Sequence, residues 1–370
     1  MFKKLFIILS IALLLVSCRN EIRSGYSEEK LKKNIDGSVS SKDSSGKGYK
    51  IKERSEEEKK EDQNRFSNLF SSDLTSENVY EIETTLVNID KEKIEKALNF
   101  SKLVETVPVE YGKSYIYAGG EELANGPGRI YASKPNSRYI NQFLNINSNK
   151  SLENKEASKE VREKAEAICN KFFDSIGVNN FKLIGAEEYK KEDIVAGIED
   201  NDKGEIVYKD GTSVNLNEVV SDSIQLKYTQ NYEGLYTDIY GFDSPDESSR
   251  GVILSRDIYF IIQNGEIVYL QMIYFTDQNY SKKNVDIISK DKAYEIVKKD
   301  LELSPITKDN EIKFEGLLYS FIEESRDNLL RSNKVTLIPV YNFYILGNDG
   351  IRVKSLDARD GKVLFESLLY

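Results

Sequence analysis

Residues 256–275 read RDIYFIIQNGEIVYLQMIYF. Two apolar, β-branched and aromatic runs flank Asn264-Gly265, the dipeptide that most readily takes the two positive φ angles of a tight hairpin turn. The reading is therefore two long antiparallel strands. Upstream, residues 153–176 (ENKEASKEVREKAEAICNKFFDSI) place Ala157, Val161, Ala165, Ile168, Phe172 and Ile176 on one stripe, and Gly177 supplies a C-terminal stop. That spacing is an amphipathic helix with one face to bury. Between helix and hairpin lie the strand-like FKLIGAEEY, a polar, turn-rich stretch, and QLKYTQNYEGLYTDIYGF. The plan then repeats in shorter form. DKAYEIVKKDLEL is a helix led by Ser289 or Asp291, and IKFEGLLYSFIEE, TLIPVYNFYIL and IRVKSLDARDGKVLFES are strands with a turn at Asp360-Gly361. Helices followed by hairpin-linked strands predict an α+β fold of antiparallel sheets, each packed by a helix.

Working toward the N-terminus, NVYEIETTLVNID (78–90) alternates with Tyr80, Ile82, Thr84 and Leu86 on one face, which predicts a strand. Asp90 is placed to N-cap a short helix, KEKIEKALNF. SYIYAGGEELANGPGRIYAS reads as two strands around a Gly-rich loop. Gly119-Gly120 and Asn125-Gly126-Pro127-Gly128 lack the lysine and hydroxyl of a phosphate cradle, so the loop is a connection.

The chain opens MFKKLFIILSIALLLVSC. Lys3 and Lys4 precede a twelve-residue stretch, Leu5 to Val16, in which only Ser10 and Ala12 are not large and apolar. Twelve residues are short for ~30 Å of hydrocarbon, so this is a secretory signal. Leu15-Val16-Ser17-Cys18 resembles the lipobox of bacterial lipoproteins. The resemblance implies cleavage before Cys18, a diacylglycerol on its thiol and attachment to the membrane. Two or three acyl chains at ~0.8 kcal/mol per buried methylene hold stably. Removing residues 1–17 takes away two lysines and no acid, so lipid rather than charge must do the anchoring. The second cysteine, Cys169, then has no partner and reads as a buried helix residue.

Residues 18–65 are nearly all Ser, Gly, Lys, Glu, Asp and Asn. Such a composition cannot offset chain entropy, so a disordered tether is expected, with a frayed helix over residues 52–65. At ~5–6 Å × √n, roughly 45 residues set the folded part ~35–40 Å from the membrane. Lys30, Lys32 and Lys33 belong to this solvated tether. The expected organisation is signal 1–17, tether 18–65, an N-terminal α+β module over 66–150, and two further modules over 151–288 and 289–370.

Those last two modules resemble the PepSY family of extracellular domains. In the first, the likeness rests on Tyr228, Gln230, Tyr232, Gly234 and Leu235 in the pattern Y-x-Q-x-Y-x-G-L. In the second it rests on Pro339 to Tyr344 and on Leu356-Asp357-Ala358-Arg359-Asp360-Gly361-Lys362-Val363. The resemblance covers about residues 153–370 and implies a binding or inhibitory module rather than a catalyst. It departs from the peptidase-propeptide members because no zinc peptidase follows.

The 370 residues contain no histidine and no tryptophan, two cysteines and 23 tyrosines, with a net charge of −10. Without imidazole there is no Ser-His-Asp or Cys-His nucleophile and no HExxH zinc site. The negative charge argues against nucleic acid. Carboxylate-pair hydrolysis survives the count, yet Glu187, Glu188, Asp243, Asp246 and Glu247 read as solvated loops. The run Glu199–Glu205 lacks calcium-loop spacing and reads as a turn. Tyr228, Tyr232, Tyr236 and Tyr240 recur every four residues, and on a strand this parity puts them on one face. Such a face can stack on a sugar ring or grip a peptide, or simply fill a half-buried sheet. The expectation is a lipoprotein of the cell membrane, at its extracytoplasmic face (at the outer membrane or cell surface in a two-membrane envelope). It needs no cofactor or metal and binds a protein partner: a peptidase, a cell-wall enzyme or a sensor domain. Capture of a small molecule or wall glycan on the tyrosine face is the alternative, and a carboxylate hydrolase the second. Cys18→Ala is expected to abolish incorporation of radioactive palmitate in cells; unchanged labelling would refute the lipid anchor.

Overall fold

The computed structural model describes residues 79–109, 112–147, 156–199, 215–237, 252–253, 258–302, 311–323, 333–347 and 350–369. The signal-like segment, Cys18, the tether, Tyr240, Asp243, Asp246, Glu247 and residues 200–205 lie outside the described residues. The fold is α+β, with two antiparallel sheets and, among the described residues, six helices.

The first sheet takes β2 (Leu103–Val109), β3 (Gly112–Tyr117), β4 (Glu122–Gly126), β5 (Arg129–Ser133), β6 (Phe181–Tyr189), β7 (Ser223–Tyr232), β8 (Leu235–Tyr236), β10 (Ile258–Gln263) and β11 (Glu266–Ile273). Its order is β2-β3-β4-β5-β11-β10-β7-β6, with β8 paired to β7. The hairpin β10–β11 sits at its centre, and Asn264 and Gly265 adopt φ of 52° and 78° as the turn demands. Because β5 pairs with β11, residues on both sides of position 150 share one sheet.

The second sheet takes β1 (Tyr80–Thr85), β9 (Val252–Ile253), β12 (Ser281–Asn284), β13 (Glu311–Glu323), β14 (Lys334–Gly347), β15 (Gly350–Asp357) and β16 (Val363–Leu369). β14 is its spine. One edge pairs with β13, while the other pairs with β1 near its start and β15 further on.

Helices cover both faces of the first sheet. On one face, α1 (Lys91–Leu98) and α3 (Lys159–Ile176) bring Ile94, Leu98, Ala165, Cys169, Phe172, Phe173 and Ile176 onto Leu123, Ile130, Leu226, Phe260, Leu270 and Met272. On the other, α2 (Ser137–Asn147), α4 (Lys191–Glu199) and α5 (Leu216–Val219) bury Ile140, Phe143, Ile194, Ile198 and Leu216 against Ile261, Val268 and Tyr269. Each buried Val, Leu, Ile, Phe or Met among them contributes about 1.5–3 kcal/mol by leaving water. Period-2 alternation alone assigns the two faces of β10. On β11, Val268 is an extra residue opposite the Ile261–Ile262 step, a bulge that restores the register for Ile267. The second sheet is packed on one face by α6 (Lys290–Glu302) through Ala293, Val297 and Leu301.

Caps and turns follow local chemistry. The Ser158 hydroxyl accepts from Val161 N at the start of α3, and Gly177 ends it in the left-handed region at φ 75°. Ser289 caps α6, its hydroxyl accepting from Lys292 N at 3.2 Å. Asp90 occupies the N-cap of α1 but makes no side-chain cap bond. The stretch expected as a Gly-rich loop contains a full strand, β4, between turns at Gly119-Gly120 and Pro127-Gly128. The polar stretch after β6 contains α4 and α5.

The two sheets meet at Gln230 near the end of β7. Its amide Nε2 donates to the carbonyl of Thr276 and its Oε1 accepts from Thr276 N, both at 3.0 Å. Nε2 also donates to Asn180 Oδ1 at 3.0 Å. The side chain thus imitates a backbone bridge to the segment that leaves β11 for the second sheet. Around it, the Thr229 hydroxyl donates to the carbonyl of Thr237 at 2.7 Å, and Thr237 N donates to the Gln230 carbonyl at 2.8 Å. A parallel bridge then carries Thr237 to Tyr319 of β13. Thr229, Gln230, Thr237 and Thr276 are all buried, where an unmet donor or acceptor costs ~1–3 kcal/mol. Gln230→Leu should therefore destabilise the protein by about 2–4 kcal/mol, read as a lower urea midpoint. A change under about 0.5 kcal/mol would show that the seam is not a structural tie.

Candidate interaction site

The tyrosine ladder does not stay on one face. Glu233 and Gly234 adopt φ of 51° and 87°, so the chain reverses after Tyr232, which pairs with Leu235. Parity is lost at that turn. Tyr228 packs edge-on to Phe173 and Phe260 in the core under α3, at ring-centroid distances of 5.2 and 5.6 Å. Tyr232 lies in the core of the second sheet, edge-on to Tyr280 at 5.4 Å, its hydroxyl hydrogen-bonded with that of Thr276. Tyr236 packs instead against Leu318, Ile338 and Val340. With 2% and 1% of their surface exposed, Tyr228 and Tyr232 present no ring to a ligand. The pattern Y-x-Q-x-Y-x-G-L is thus a piece of architecture: first core, seam, second core, turn.

Burial raises the Cys169 thiol to about 12, and Tyr228 is raised further still, first by desolvation and then by the neighbouring thiol. The Tyr228 hydroxyl has that sulfur as its polar neighbour and forms no geometrically sound hydrogen bond. Cys169 is therefore an inert core residue at physiological pH. At the β7–β8 turn, Glu233 accepts from the Tyr280 hydroxyl at 2.7 Å and pairs with Lys282 of β12 at 2.8 Å. The Lys282 hydrogen bond holds the Glu233 carboxyl below its usual range, while burial and Glu233 raise Tyr280 to about 12. Glu187 and Glu188 lie within β6 rather than in a loop, because FKLIGAEEY continues as strand to Tyr189. Glu187 pairs with Lys227 at 3.1 Å, and Glu188 with Lys190. No group of three or more metal-ligating side chains occurs among the described residues.

Among the described residues, the strand that exposes large apolar side chains is β2, LVETVPV. Every residue of this strand is exposed or half-exposed; Val104 shows 66% of its surface and Leu103 36%. It is the end strand of its sheet, and one edge pairs with β3. Pro108 stands opposite Lys113. Having no N–H, it cannot belong to a hydrogen-bonded pair, so the backbone of Pro108 faces the open edge, and that of Thr106, two residues back, does too. Thr106 thus offers an outward donor and acceptor, whereas Val107 bonds inward to β3. Proline within an alternating apolar run is the sequence sign of an edge strand, and this segment carries it.

No family model and no curated protein matches the chain. A solved structure does. An uncharacterised protein from Eubacterium rectale ATCC 33656 superposes with a TM-score of 0.51 at 14% identity, over 80% of this chain and 88% of that one. This likeness shows the fold alone. The Bacillus megaterium YpeB C-terminal domain aligns over 86% of this chain and 99% of its own at 10% identity, but its TM-score of 0.29 carries no argument.

The two buried tyrosines separate packing from hydrogen bonding. Tyr232→Phe should cost about 1–2 kcal/mol, since Thr276 loses a buried partner, while Tyr228→Phe should change stability by under about 0.5 kcal/mol. Thermal unfolding of both variants checks the contrast.

Proposed function

We propose that this chain is a lipid-anchored extracytoplasmic binding module, without catalytic activity, that engages a protein partner by strand addition at β2. The observation that carries the reading is the exposure of β2 on both faces and along its outer edge. An apolar strand left in that state is an association site, because its backbone donors and acceptors template another strand. The sequence adds the anchor at Cys18, the tether that lets the folded part reach past the membrane surface, and the lack of histidine. The PepSY-like pattern belongs to the same reading: a module that holds or restrains an extracytoplasmic enzyme or sensor.

A photo-crosslinking residue in place of the well-exposed Val104 tests this on intact cells. A discrete adduct with another envelope protein is expected. Thr106→Pro should reduce it about tenfold, the loss of one interfacial hydrogen bond near 1.4 kcal/mol. Its thermal unfolding should stay close to that of the parent, because Thr106 N–H faces away from β3. Val107→Pro removes an inward bond and should lower stability by several kcal/mol. Equal adduct yield with and without Thr106→Pro would overturn strand addition at β2.

A further inference from the structure

Lys354 on β15 is a charged side chain with 2% of its surface exposed, on the face of the second sheet that α6 covers. Its cross-strand neighbours are Phe343, buried in that core, and Glu366 of β16. The Lys354 Nζ contacts Asp300 Oδ2 near the end of α6 and lies 2.8 Å from Glu366 Oε2. Glu366 Oε1 in turn lies 3.3 Å from Arg352 Nη1. An amine, a carboxyl in contact with it and a second carboxylate within proton-transfer distance are the components of an amide condensation. Fixed neighbours of this kind react with effective molarities on the order of 10⁵–10⁸ M, which lowers the barrier to a condensation that free groups in water undergo only slowly.

We propose that Lys354 and Asp300 become joined by an intramolecular amide bond, with Glu366 moving the protons. A proton passes from the ammonium to the Asp300 carboxylate, giving the neutral amine and neutral acid that condense. The Nζ lone pair attacks Asp300 Cγ, forming the C–N bond. Glu366 accepts a proton from the nitrogen and delivers it to the departing hydroxyl. The C–O bond breaks and one water leaves. Nothing is oxidised or reduced, and no co-reactant enters. Asp300 keeps 49% of its side chain exposed, which gives the water an exit. Glu366 is held by Arg352 on the sheet edge, whereas Asp300 sits on the helix 54 residues from Lys354 in sequence. The bond therefore ties α6 covalently to the sheet. The proposal is independent of what the module binds.

A tryptic digest of the full chain, read by tandem mass spectrometry, decides it. The expected product is a branched peptide carrying both Lys354 and Asp300, lighter than its two linear parts by one water, with cleavage after Lys354 lost. Asp300→Ala and Lys354→Arg should give only linear peptides. Glu366→Gln should also do so while keeping the parent circular dichroism spectrum, which separates lost chemistry from lost fold. Linear peptides alone from the parent chain would overturn the bond. Water loss that survives Asp300→Ala would overturn the assigned partner, and branching that survives Glu366→Gln would overturn the role of Glu366.

Discussion

The contact of Gln230 with Thr276 is a side chain doing what a strand neighbour does. Two hydrogen bonds of 3.0 Å, one each way, let a primary amide replace a peptide unit at the point where the first sheet ends and the chain departs for the second. The placement follows from strand geometry. β7 has ten residues, roughly 33 Å of extended chain, and positions 228, 230 and 232 share a face. A strand of that length leaves the core where it begins and enters another. Tyr228 is buried in the first, Tyr232 in the second, and the residue between them must be polar because it sits where the sheets' hydrogen bonding is interrupted. An apolar residue would leave the backbone of Thr276 without partners in a dry seam. The turn at Glu233-Gly234 then returns the chain at once, so that Thr237 can serve both Gln230 and, through its bridge, Tyr319.

The second sheet is held by polar pins as well as by apolar packing. Its helix, α6, contributes three buried apolar residues, whereas α3 alone contributes five to the first. Around α6 directed contacts add to this packing. Lys354 meets Asp300 and Glu366, and the Tyr341 hydroxyl donates to the carbonyl of Ile288 at 2.8 Å. The close of the fold follows the same logic. Asp357 accepts from Arg359 N, Nε and Nη2 at 2.8–2.9 Å, and Arg359 also reaches Glu81 of β1. Gly361 is favoured there by its left-handed φ of 81°, which a residue with a Cβ adopts only under strain.

Local signals made much of this legible in advance. The α3 stripe from Val161 to Ile176, the Asn264-Gly265 hairpin and the turn at Gly361 are each set by neighbours within a few residues, and the structure has them in place. The helix begins at Lys159, however, and Ala157 lies before its cap. The elements that escaped reading are those whose form depends on distant partners. β4 looks like loop because Gly126 and Pro127-Gly128 dominate its composition, yet pairing with β3 and β5 holds it extended. α4 hides in a polar stretch because its apolar face is short, Ile194, Val195 and Ile198, and gains meaning only against α2. The tyrosine periodicity misled for the same reason. Spacing of four is compatible with one face only while the strand lasts, and Gly234 ends it.

Three of the end strands among the described residues meet solvent in different ways. β12 meets solvent with Ser281, Lys282, Lys283 and Asn284, whose charges discourage pairing. β6 is capped by a bridge from Glu156 to Glu187 and by Ala157 N donating to the Ala186 carbonyl at 3.0 Å. β2 has neither device. Its one protection is Pro108, which removes a donor near one end and leaves Thr106 able to pair. β9 and β16 are further end strands. What sets β2 apart is the exposure of Leu103 and Val104 beside the outward backbone of Thr106, and pairing there is restricted to a short ladder with a fixed end. Such a ladder carries few main-chain bonds, so affinity there must come from side chains packing on Leu103 and Val104. Strand addition confined to so short a ladder is selective and reversible rather than fibril-like.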